Sequence, residues 1–191
     1  MALVLTSGPA SEPVTVQEAK AHLRIDGTAE DVLIASLILT SRLHIEAALD
    51  LALINQGWTL RLDQWPGSTM VEIPMSPLQA IAAVRVKSAS GVAAAVPATS
   101  YLIDIASKPP RLVWNNALPP QPGLAAGGIE IDFTAGFGTA PSSVPAPLKH
   151  AVLLLVAHWY EHRDAVEIGA ASARIPEVVS DLIQPFRKIR L

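Results

Sequence analysis

The chain has 191 residues, half of them apolar and only 16% charged, with 14 Lys+Arg against 17 Asp+Glu for a formal charge of −3. The absence of cysteine excludes disulfides and thiolate chemistry, and the acidic balance excludes a broad phosphate-gripping face. No apolar run reaches the ~20 residues of a membrane span, and Met1–Pro13 lacks the basic start of a signal peptide, so a charge content this far below the roughly 25% of an average soluble domain points to surface buried against other subunits.

Thr15 and Glu18 form a T-x-x-E capping box that starts a first helix. Val16, Ala19 and Leu23 recur at helical spacing, and Asp26-Gly27 ends the element. Thr28 opens a second helix to about Asp50, with Glu30 and Asp31 in its positive first turn. Val32, Leu33, Leu37, Ile38, Ile45 and Leu49 are its apolar positions; Ser36, Thr40, Arg42 and Glu46 are read as its polar side.

From Leu53 the period shortens to two. Trp58, Leu60 and Leu62 alternate with Thr59, Arg61 and Asp63, as in a half-buried strand. Residues 64–147 hold 12 of the 16 prolines and 7 of the 11 glycines, which excludes long helices there. Further strands are expected at Met70–Ile73, Ile81–Lys87, Tyr101–Ile105, Arg111–Trp114 and Ile129–Thr134, with a flexible tip at Gln121–Gly128. A helix follows from about Pro147 to Val166, its Ala151–Ala157 segment apolar all round. A small-residue loop at Gly169–Arg174 leads to a last helix opened by Pro176. The expected fold is α+β: residues 1–52 and 141–191 supply a bundle of three to four helices, and residues 53–140 an inserted antiparallel β-rich domain.

One stretch invites a catalytic reading. His158-Trp159-Tyr160-Glu161-His162 spells H-x-x-E-H, in which two histidines one turn apart hold zinc and the glutamate activates water. A zinc hydrolase using His158, Glu161 and His162 is therefore the alternative function. Against it, only 29 residues follow His162, leaving little chain for a third ligand. The expectation is no catalytic residue, no metal and no cofactor, with Trp159 and Tyr160, together with Leu37, at helix–helix packing or subunit interfaces. Gly136-Phe137-Gly138 lacks the Lys-Ser/Thr of a phosphate loop and reads as a turn. Phe186-Arg187-Lys188-Ile189-Arg190-Leu191 carries three cations and three apolar anchors without an acid, the makeup of a docking peptide for an acidic partner.

The ordered series of Thr15–Asp26 (TVQEAKAHLRID), Glu30–Ile34, Ala52–Trp58, Leu62–Pro66, Ile73-Pro74, Phe133–Gly138, Val144-Pro145 and His158–Arg163 resembles the head–tail connector (adaptor) proteins of long-tailed bacteriophages and phage-like gene transfer agents. The resemblance spans roughly residues 15–188. It implies a structural subunit of a ring, commonly of twelve copies, that sits beneath the portal protein and joins the capsid to a stopper or tail-completion protein. DNA passes through the lumen of such a ring without sequence-specific binding, and no membrane is involved. The resemblance also implies a place in the neck of the virion, assembly in the bacterial host cytoplasm, a helical bundle with a β-rich insertion, and a C-terminal segment reaching toward the portal. That last feature makes Phe186, Arg187, Lys188, Ile189, Arg190 and Leu191 the expected portal-docking residues. Another neck or tail-completion protein of the same particles is a further possibility. A closed head-to-tail ring uses two unlike faces of every subunit, which accounts for the shortage of charges.

Overall fold

The computed structural model describes residues 1–67, 69–115, 118–162 and 176–187. Two compact units divide the chain, one built from Met1–Ala10 and Asn55–Phe137, the other from Ser11–Ile54 and Gly138–Leu191. The fold is α+β, with four α-helices and two antiparallel sheets among the described residues.

The first unit carries the sheets. Its five-stranded sheet runs β1 (Ala2–Ser7), β2 (Gln56–Leu62), β8 (Ile129–Ala135), β4 (Leu78–Lys87), β5 (Ala93–Ala95), in that spatial order. A second sheet joins β3 (Met70–Glu72), β7 (Arg111–Trp114) and β6 (Tyr101–Asp104). Register follows side-chain alternation. Trp58 pairs with Phe133, Leu60 with Ile131 and Leu62 with Ile129, while on the other flank of β8 Ile81, Val84 and Val86 meet the same three residues. That face is the core of the unit: Leu60, Leu62, Val84, Val86, Ile129, Ile131, Phe133 and Ala135 are buried. The smaller sheet buries Val71, Leu112, Tyr101 and Trp114, with the Trp114 ring edge-on to Trp65 at 4.9 Å.

Three features of this unit differ from the sequence reading. β1 is not among the expected strands, although Leu3-Val4-Leu5-Thr6 is a short apolar run closed by Gly8-Pro9; it pairs with β2, which offers Trp58 to Arg61 as antiparallel partners. β5 is three alanines, poor strand formers, held by pairing with Arg85–Lys87 across a turn in which Gly91 takes a positive φ. The expected flexible tip is tied down: the Gly123 amide donates to the Lys87 carbonyl (2.8 Å) and the Gly127 amide to the Asp63 carboxylate (2.7 Å). A Cβ on Gly123 would overlap the backbone of Ser88 and Ala89, so only glycine permits that approach.

The second unit holds α1 (Val16–Leu23), α2 (Asp31–Leu49), α3 (Ala146–Glu161) and α4 (Glu177–Ile183). The capping box is formed as read: the Glu18 amide donates to Thr15 Oγ1 (3.1 Å) and the Thr15 amide to the Glu18 carboxylate (2.8 Å). α1 ends earlier than expected, at Leu23, because Arg24 adopts the left-handed conformation. α2 begins at Asp31 with Glu30 as its cap, so Glu30 precedes the first turn instead of lying in it. Lys20 binds the Asp31 carboxylate at 2.7 Å and ties the two helices together. α3 packs on α1, α2 and α4, which explains why Ala151, Val152, Leu155 and Val156 are all buried. The expected extension of this helix over 163–166 and the loop at 169–174 lie outside the described residues.

Candidate functional site

The H-x-x-E-H stretch occupies the last turn of α3, where His162 is already the C-cap. The His158 and His162 rings lie 4.7 Å apart and tilted by 35°, stacked on one another, and His162 Nδ1 is 2.9 Å from the His158 carbonyl. Among the described residues no group of three His, Asp or Glu side chains gathers to hold a metal ion. The geometry is that of a packed helix end. Trp159 is half-buried, its ring edge-on to His44 of α2 at 5.8 Å, and the Tyr160 hydroxyl donates to the Glu30 carboxylate at the start of α2. Leu37, on α2, is also half-buried. Phe186 closes a single 3₁₀ turn over Gln184–Phe186 and Arg187 follows it, exposed; Lys188, Ile189, Arg190 and Leu191 lie outside the described residues.

The structure revises the reading of α2. Arg42 and Glu46, taken from sequence as part of its polar side, lie on the inward side with Ile34, Ile38, Ile45 and Leu49. Arg42 is 5% exposed and Glu46 8%. Arg42 Nη1 donates to Glu46 at 2.7 Å and its Nε to Glu12 at 2.7 Å, and Glu46 accepts the Leu53 amide at 2.8 Å. Burial alone would lower the Arg42 pKa, but the Glu12 hydrogen bond and the Glu46 charge hold it above its ordinary value. The outward side carries exposed apolar residues among uncharged polar ones and His44: Val32 is 85% exposed, Leu39 42% and Leu43 52%, beside Ser36 and Thr40. Helical spacing contained the signal, since 38, 42, 45 and 49 follow one another at steps of four, three and four residues and so share a face.

The polar face of the large sheet carries a ladder of alternating charge. Glu130, on the central strand β8, receives Lys87 Nζ at 2.8 Å and lies 3.3 Å from Arg61 and 3.6 Å from Arg85; Asp132 beside it takes Arg85 at 2.5 Å and the Thr59 hydroxyl at 2.6 Å. The Lys87 hydrogen bond holds the Glu130 carboxyl below its usual range. On the smaller sheet the Ser107 hydroxyl, then Arg111, draw Asp104 down to about 2. Both carboxyls bind a proton more readily unfolded than folded, so the stability they contribute is present above the unfolded values of 4.5 and 3.8 and lost as pH falls through the lower folded ones. Urea titrations between pH 5 and 2 should therefore show stability declining with acid, and Glu130→Gln should flatten the decline. An unchanged slope in that variant removes Glu130 from the account.

Residues 13–93 match the family model described as phage gp6-like head-tail connector protein. The chain is similar over its whole length to a solved chain in the neck of an empty GTA particle computed with C6 symmetry (TM-score 0.86, 32% identity, 97% of that chain covered). It is equally similar to chains in the virion of a native gene transfer agent particle (0.84, 31%, 97%) and in the neck of a native GTA particle computed with C12 symmetry (0.83, 33%, 97%). No curated protein matches. The chain belongs to the phage gp6-like head-tail connector family. It is a structural connector subunit of a phage or phage-like particle and not an enzyme.

Proposed function

We propose that this connector subunit forms a ring of twelve copies beneath the portal protein and joins the capsid to a stopper or tail-completion protein. The observation that carries the reading is the 97% coverage, at 31–33% identity, of chains in GTA particles whose necks were solved with C6 and C12 symmetry. DNA passes through the lumen without sequence-specific contacts, which suits a chain of net charge −3 that would not hold phosphates back. Subunits are made in the host cytoplasm and end in the neck of the particle. Phe186, Arg187, Lys188, Ile189, Arg190 and Leu191 dock on the portal, with the cations steering toward an acidic surface and the apolar residues anchoring. Leu37, Trp159 and Tyr160 pack at the helix contacts that support the subunit interface.

Light scattering of the chain alone and mixed with purified portal tests the assembly. A ring mass in at least the mixed sample is expected, and absence of any assembly in both overturns the reading. Removing residues 187–191 should abolish co-purification with portal while leaving the melting temperature within a few degrees, because Arg187 is exposed and the half-buried Phe186 stays in place. Retention of portal binding in the truncated chain refutes the docking role.

A further inference from the structure

α2 is inverted relative to an ordinary surface helix. Between Val32 and Leu49 its only Asp, Glu, Lys or Arg side chains are Arg42 and Glu46, and both are buried against Glu12 and the Leu53 amide. Its outward side shows Val32, Ser36, Leu39, Leu43 and Ala47, at steps of four, three, four and four residues that align them in one seam. Even Thr40 beside the seam turns its hydroxyl back to the Ser36 carbonyl at 2.9 Å. A solvated helix face carries charges; this one carries none over more than four turns.

Resting on the ring reading above, we infer that the Val32–Leu39–Leu43 seam of α2 is one of the two unlike faces by which neighbouring copies of this chain meet. Two other occupants fit less well. α2 is long and apolar enough, by length and composition, to cross a membrane, but its opposite side is packed by α1 and α3 around an Arg–Glu network, which lipid would not tolerate. A helix lying on a membrane surface flanks its apolar stripe with Lys and Arg, and the outward side of α2 has neither. A second copy needs no flanking charge. In a head-to-tail ring the seam meets a different surface of the next subunit, and whereas the large apolar residues of α3 are buried or half-buried, α2 presents three exposed ones, Val32, Leu39 and Leu43, in one stripe.

The test is the full-length Leu39→Asp/Leu43→Asp variant, measured beside the parent by light scattering, alone and with purified portal. Both positions are exposed, so the variant should melt within a few degrees of the parent, while assembly weakens by about 100-fold or more because two carboxylates enter a desolvated contact. Should the double variant fold poorly, Leu39→Cys provides the only thiol in the chain. Labelled there with benzophenone maleimide and illuminated after assembly, it should join two copies covalently. Assembly of the double variant at parental strength, or an assembled ring without cross-linked copies, overturns the assignment and leaves the ring intact. A parent that never assembles, even with portal, removes the ring reading and this inference together. Binding of the parent to phosphatidylcholine–phosphatidylglycerol vesicles that is lost in the variant, with assembly unaffected, overturns the assignment in favour of a membrane.

Discussion

Arg42→Ala is expected to lower the stability of the protein by about 3–5 kcal/mol, the range for leaving a buried ionic partner uncompensated. The guanidinium bridges Glu12, before α1, and Glu46, one turn further along α2, each at 2.7 Å. Without it Glu46, 8% exposed in the parent, faces a vacancy left by the arginine side chain. Glu46 cannot simply swing into solvent, because its other oxygen accepts the Leu53 amide and fixes the turn after α2. Arg42→Met, which restores much of the packing but no charge, should recover part of the loss. Urea unfolding of the three proteins decides the matter. A loss below about 1 kcal/mol, typical of a surface pair, shows that water reaches the network.

Phe133→Ala is expected to cost a similar amount, about 3–5 kcal/mol, by opening a cavity in the sheet unit. Phe133 is only 2% exposed and lies on the central strand β8, paired with Trp58 on one neighbour and Ile81 on the other. The flanking strands cannot slide to close the space, because shifting a strand by one position turns its whole side-chain set to the wrong face, so only side-chain repacking of Trp58 or Ile81 could reduce the loss. Phe133→Leu, which keeps most of the volume, should lose less than half as much. Equal losses for both variants would mean that ring shape, not volume, governs the site, and a loss under 2 kcal/mol for alanine would mean that the sheet repacks.

Local signals carried much of the architecture. The Thr15/Glu18 box, the two-residue period at Trp58–Asp63 and the proline-rich punctuation located helices and strands because each is written in adjacent residues. β1 is ambiguous in sequence, because a run as short as Leu3-Val4-Leu5-Thr6 does not distinguish strand from helix or loop; what fixes it as a strand is pairing with β2, more than fifty residues away. The faces of α2 were misread because charged residues were assigned to solvent by type, whereas the spacing of Arg42 and Glu46 with Ile38, Ile45 and Leu49 places them on the core side. The H-x-x-E-H stretch realises its spacing at the end of α3, with the His158 and His162 rings 4.7 Å apart and tilted by 35°, but it is the family match and not the five-letter motif that assigns the chain its role.

The backbone passes between the two compact units three times, after Ala10, after Ile54 and after Phe137. A conventional pair of domains hangs on a single tether that one cut or one stretched linker severs. Here three peptide connections join the two units, so a single proteolytic nick in any one of them leaves the units covalently joined. For a subunit built into a particle's neck, redundancy of this sort is a safeguard written into the order of the chain.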